Sequence, residues 1–144
     1  MLLEMDVTLT SGNASVLFGA RDASNVFMWS VNTLDNEKEP LIRRHIYEGG
    51  RLQSSDTPIG KFFSKSDLLN KEHHLAIEAK EGVIKTSIDG VLVDTYTDTD
   101  SKLSNGYIGF RAFRGNNTNE TAMFDNIVLT EYELKDGKEE AKVV

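Results

Sequence analysis

With 144 residues and no internal repeat, the chain has the size of one domain built on a single two-layer core. Its 16 Lys and Arg against 23 Asp and Glu leave a formal net charge of −7, and the only dense basic run is Arg43-Arg44-His45, which argues against nucleic acid as a partner. The absence of cysteine excludes a disulfide framework, a thiolate nucleophile and Cys-ligated zinc, and no run of about 18 apolar residues is present to form a membrane-spanning helix.

Leu3, Met5, Val7 and Leu9 alternate with Glu4, Asp6 and Thr8, which predicts a strand over 2–9. The opening MLLEMDVTL lacks the basic flank and cleavage site of a signal peptide, so the chain reads as a domain taken from a longer parent. Further strands are expected over 14–20, 26–32, 41–47, 73–80, 83–88, 91–96, 106–113 and 121–130. Polar turn signals at Ser11-Gly12-Asn13, Asp22 to Asn25, Asp35-Asn36, Gly49-Gly50 and Ser104-Asn105-Gly106 separate them. The one plausible helix is a turn or two over 64–70, where Ser64 and Asp67 supply capping groups. Residues 48–63, polar before they become apolar at Ile59, Phe62 and Phe63, read as a long surface connection. The β-sandwich domain is expected to span 1–134, and 135–144, rich in Lys and Glu, to be a linker or disordered tail.

The second half carries the clearest pattern. Glu81-Gly82 and Asp89-Gly90 each stand between alternating runs, and Asp-Gly there is a strong hairpin signal because both central residues of a type I′ turn need φ > 0. Many short strands joined by tight turns give an all-β fold. With the GYIGF strand at 106–110 and the FDNI strand at 124–127, the chain resembles the concanavalin A-like jelly roll, a two-sheet antiparallel β-sandwich. That resemblance implies carbohydrate as the partner.

The stretch Asp22 to Trp29 sets a carboxylate and an amide before a strand that holds the only tryptophan. Sugar sites use such a mixture, because carboxylates and amides bond hydroxyls while an aromatic face covers the C–H side of the ring. The same residues also suit a plain turn feeding a core strand. Alternation puts Phe27, Trp29 and Val31 on one face, so Trp29 is either core or platform. RDASNVFMWSVN resembles the corresponding stretch of the Ca²⁺-dependent rhamnose-binding modules attached to α-L-rhamnosidases. By that resemblance Asp22 and Asn25 would hold the ion and the sugar. In LIRRHIY, Arg43 and His45 share a face opposite Arg44, and either arginine's fork could hold adjacent sugar hydroxyls. The alternative for both is a solvated strand face with cross-strand ion pairs. A second calcium site is conceivable where Asp125 of the last strand meets Glu4 or Asp6 of the first, although no EF-hand spacing occurs.

Catalysis finds less support. Laminarinase-like glycosidases that share this fold carry their acids in an alternating E-x-D-x-x-E strand motif, and none is present. Adjacent His73 and His74 should point to opposite faces of a strand. The reading is a non-catalytic carbohydrate-binding module of a larger bacterial glycoside hydrolase, extracytoplasmic through its parent and in contact with its neighbouring domains. The alternative is a scaffold domain with no ligand of its own.

Overall fold

The structure, a computed structural model, describes residues 1–10, 12–34, 38–98, 106–113 and 122–144. The turn signals at Asp35-Asn36 and Ser104-Asn105 lie outside these residues. Among the described residues, eleven strands and one helical turn follow one another as β1 (Leu2–Leu9), β2 (Asn13–Asp22), β3 (Asn25–Asn32), β4 (Leu41–Glu48), β5 (Arg51–Pro58), α1 (Lys65–Leu68), β6 (Glu72–Lys80), β7 (Val83–Ile88), β8 (Val91–Thr97), β9 (Tyr107–Phe113), β10 (Ala122–Lys135) and β11 (Lys138–Val143). They form a six-stranded sheet in the order β11-β10-β1-β6-β7-β8 and a five-stranded sheet in the order β5-β4-β3-β2-β9. Every pairing between strands is antiparallel. The chain changes sheet between β1 and β2, β5 and β6, β8 and β9, and β9 and β10. This is the expected antiparallel sandwich of concanavalin A-like jelly-roll type.

Period-two alternation decides what faces inward. Leu3, Met5, Val7 and Leu9 of β1 are buried, and Ile77, Ile84 and Ile88 continue the same layer. From the other sheet come Val16, Phe18, Phe27, Trp29, Ile42 and Ile46. Two aromatic contacts tie the layers together. The Trp29 ring meets Tyr96 of β8 edge-on at 5.6 Å, and Phe110 of β9 meets Phe124 of β10 at 4.9 Å. Such contacts contribute beyond the area they bury.

Type I′-like turns close the hairpins. Glu81-Gly82 has φ of 52° and 76°, and Asp89-Gly90 has 51° and 80°, as expected for the two dipeptides. The helical turn carries a full capping box. Ser64 Oγ accepts from the Asp67 amide at 3.1 Å, and Asp67 Oδ2 accepts from the Ser64 amide at 2.8 Å.

Two segments depart from expectation. The 48–63 region is a surface connection only after Pro58, because Gly49-Gly50 turns the chain into the edge strand β5. Most of β5 is exposed on both faces, so it shows no apolar alternation. Its place comes from backbone pairing with β4. Residues 135–144, read as a linker or disordered tail, turn at Asp136-Gly137, with φ of 51° and 74°, into β11. That strand is exposed throughout and also relies on the ladder it forms with β10.

Candidate functional site

The outer face of the five-stranded sheet is built by the residues that alternate with its core. One register row crosses all five strands. Arg111 of β9 stands opposite Ser15 of β2, Ser15 opposite Ser30 of β3, Ser30 opposite Arg43 of β4, and Arg43 opposite Asp56 of β5. Neighbouring strands are about 4.8 Å apart, so the α-carbons of Arg111 and Arg43 stand roughly 14 Å apart across two small serines. Long side chains beside short ones leave a trough. Its volume is about 210 Å³, and Asn13, Ser15, Met28, Ser30, Arg43, His45 and Arg111 line it.

The floor is a hydroxyl pair, with Ser15 Oγ 2.6 Å from Ser30 Oγ and both residues buried. One wall is held by an ion pair. Arg43 Nε donates to Asp56 Oδ1 at 2.9 Å and Nη2 donates to Oδ2 at 3.1 Å, a bidentate fork that fixes the guanidinium plane. The Arg43 bond holds the Asp56 carboxyl below the usual carboxylate range. His45 sits in the next row, edge-on to Tyr47 at 6.3 Å. Burial, and after it the Arg43 charge, keeps the His45 imidazole below its ordinary value, so the ring is neutral at pH 7. Asn13 Oδ1 and His45 Nδ1 are both buried in the trough with no hydrogen-bond partner among the described residues. Buried polar atoms are rarely left so.

The residues expected from sequence fall in different places. Arg43 lines the trough. Trp29 lies on the opposite face at 2% exposure, packed edge-on against Phe18 at 5.1 Å, and is core rather than a sugar platform. Arg44 also points inward, between the sheets, where its guanidinium lies 3.5 Å from Asp94 and 5.0 Å over the Tyr96 ring, away from the outer face. Asp22 and Asn25 stand at the tip of the β2–β3 hairpin. Asn25 Nδ2 donates to both Asp22 oxygens, at 3.0 and 3.2 Å, and Asn25 Oδ1 accepts from the Gly49 amide at 3.0 Å. Their side chains therefore lock one hairpin tip to the next, and the Asn25 bond holds the Asp22 carboxyl low. Asn25 still borders a smaller hollow with Arg21, Tyr47 and Glu48.

The two places where calcium is expected lie on different sheets: Asp125 of β10 stands opposite Asp6 of β1, the strand that also holds Glu4, in the six-stranded sheet, and Asp22 stands opposite Asn25 in the five-stranded one. Glu4 Oε1 lies 3.2 Å from His74 Nε2, Asp6 Oδ1 lies 3.3 Å from His74 Nδ1, and Asn126 Nδ2 donates to Asp6 Oδ2 at 2.8 Å. Asp125 Oδ1 accepts from the Asn126 amide at 2.8 Å. These acids thus face an imidazole, a side-chain amide or a backbone amide. No group of three or more His, Cys, Asp or Glu suited to a metal occurs among the described residues. His73 turns to the other face, with Nδ1 2.6 Å from Asp89 Oδ2, so the two adjacent histidines do point apart.

The sequence reading missed Asn13, Ser15, Ser30, His45 and Arg111 as site residues. Their signal was polar residues at period two inside otherwise apolar strands, on the face opposite Phe18, Trp29 and Ile42.

The sheets, their order and the outer-face trough define a concanavalin A-like sandwich. No family model matches the sequence, and no curated protein matches it. Among solved structures, the carbohydrate binding module CBM66 from Bacillus subtilis superposes with a TM-score of 0.62 at 25% identity, covering 88% of this chain and 71% of that one. A tetrameric galectin from the ball sponge Cinachyrella sp. gives 0.65 at 11% identity, with 88% of each chain covered. A glycoside hydrolase family 16 endo-glucanase from Bacteroides ovatus gives 0.61 at 13% identity over 99% of this chain and 68% of its own.

Proposed function

We propose that this chain is a carbohydrate-binding module and that the trough on the five-stranded sheet is its sugar site. The observation that carries this reading is the trough's lining. A hydroxyl floor, an oriented guanidinium, an amide and an imidazole line one cavity, and a sugar presents both donors and acceptors to such groups. The likeness to CBM66, a carbohydrate binding module, supports it.

Binding is favoured over turnover because no carboxylate lines the trough among the described residues, whereas either route of glycoside hydrolysis commonly uses two. The nearest acid in the row, Asp56, is engaged by Arg43. A module of this kind would serve a larger carbohydrate-active protein working outside the cytoplasm, beside that protein's other domains. The proposal includes neither calcium nor a preference for rhamnose, since Asp22 and Asn25 bond each other at a hairpin tip outside the trough lining.

A glycan array followed by calorimetry tests the reading. Binding to at least one sugar is expected, weakened about tenfold or more by Asn13→Ala and by His45→Ala, with circular dichroism unchanged. No sugar bound by the folded protein, or binding indifferent to both substitutions, would overturn it and favour a scaffold role.

A further inference from the structure

Beyond the Ser15–Ser30 pair, the floor of the five-stranded sheet's outer face turns from polar to apolar. Leu17 stands opposite Met28, which also lines the trough. On the β9 side this floor has a low wall, because Gly109 stands opposite Leu17 and even a Cβ there would meet only Leu17 Cβ, at 3.7 Å. Strand alternation puts Tyr107 of β9 on the same face as Gly109 and Arg111. Ile108 and Phe110, which alternate with these three, pack against the core, so the Tyr107 ring belongs to the outer surface. It is 78% exposed, more than any other large hydrophobic side chain among the described residues. A tyrosine ring left in solvent beside a polar cavity presents a flat apolar face with a polar tip, the form that covers the C–H side of a sugar. Glycine between the two marks a place where a ligand can come close to the backbone.

Resting on the sugar-site reading above, we infer that Tyr107 is the platform of a second subsite and that the ligand is a glycan chain rather than a single sugar unit. One unit lies in the trough over the Ser15–Ser30 pair. The chain then passes through the gap at Gly109, along the apolar floor of Leu17 and Met28, and lays the C–H face of a further unit on the Tyr107 ring. From Arg111, in the trough row, to Tyr107 is four residues of extended strand, roughly 13 Å. That is further than one sugar ring reaches. The second subsite reads ring shape and chain length, because Tyr107, Gly109 and Leu17 bring no charge to it. Hydroxyl recognition stays with the trough.

The test screens the whole chain against β-glucan, xylan, galactan, mannan and polygalacturonate, then titrates it calorimetrically with the monosaccharide, disaccharide and tetrasaccharide of the polymer it binds best. Affinity is expected to rise about tenfold or more between monosaccharide and tetrasaccharide. Tyr107→Ala should remove most of that rise and leave the monosaccharide affinity unchanged, whereas Tyr107→Phe, which keeps the ring, should retain it. Gly109→Leu, which places a side chain in the gap, should act like Tyr107→Ala, with circular dichroism reporting that it folds. Asn13→Ala, in the trough, should weaken both lengths alike. A tetrasaccharide that binds no better than the monosaccharide, or that binds Tyr107→Ala as tightly as the wild type, would overturn the inference and leave the sugar-site reading standing. No binding to any of the polymers would overturn both.

Discussion

Arg44 Nη1 lies 3.5 Å from Asp94 Oδ1 between the two sheets, and Thr57 Oγ1 donates to the same oxygen at 2.8 Å. The pair joins β4 to β8 across the interior, and the Asp94 side chain is only 2% exposed. Asp94 Oδ2 and Arg44 Nε have no partner among the described residues. A buried pair of this kind adds little net stability, but removing one member strands the other charge.

Asp94→Leu and Arg44→Met should therefore each destabilise the domain by about 3–5 kcal/mol, while the double variant loses much less than their sum. Urea unfolding of the four proteins measures this. Additive losses would show that the pair is not coupled.

Gly106 and Gly109 of the GYIGF strand should respond in opposite ways to alanine. A Cβ on Gly106 would stand 2.6 Å from the Ala20 carbonyl oxygen and 2.7 Å from the Ala20 nitrogen, both rigid backbone. One on Gly109 would meet only Leu17 Cβ, at an ordinary 3.7 Å. Gly106→Ala is expected to cost about 1–3 kcal/mol, and Gly109→Ala to be neutral or to gain about 0.5–1 kcal/mol as strand glycine entropy is removed. Thermal melts of both decide it, and equal effects would contradict the close approach.

The His74 cluster on the outer face of the six-stranded sheet should make stability depend on pH. Hydrogen bonds to Asp6 and then Glu4 push the His74 imidazole up, and bonds from Asn126 and then His74 hold the Asp6 carboxyl down. The His74 contribution is complete below its unfolded value and fades as pH rises through the raised folded one. The Asp6 contribution is present above its unfolded value and fades as pH falls through the lowered folded one. Both operate together between about pH 4 and 6.5. The melting temperature of the wild type minus that of His74→Gln should peak in this window and shrink toward about pH 8. A difference that is flat with pH would contradict the assignment.

Much of this architecture is legible in the amino-acid sequence. Period-two alternation marks β1 and the strands from β6 to β8, Asp89-Gly90 marks a hairpin, and adjacent positions send Arg43 and Arg44 to opposite faces. β5 and β11 leave no such mark because each is an edge strand with mostly solvent on both sides, so burial imposes no alternation on its sequence. Asp136-Gly137 repeats the hairpin signal of Asp89-Gly90, but the Lys- and Glu-rich stretch after it, apolar only at Ala141, Val143 and Val144, does not suggest a strand.

By itself the sequence determined what local rules govern: the turns, the period of each strand, the all-β class and which side chains share a face. Only the tertiary structure decided which face is interior. Trp29 and Arg44 pack inward because their faces meet Tyr96 and Asp94 of the opposite sheet. The tertiary structure also decided which distant strands meet. Arg111 reaches the trough because β9 pairs with β2, which brings together residues 96 positions apart in the chain, Ser15 and Arg111. That register is set by packing two sheets over one core, a sum of many weak contacts that no short stretch of sequence carries.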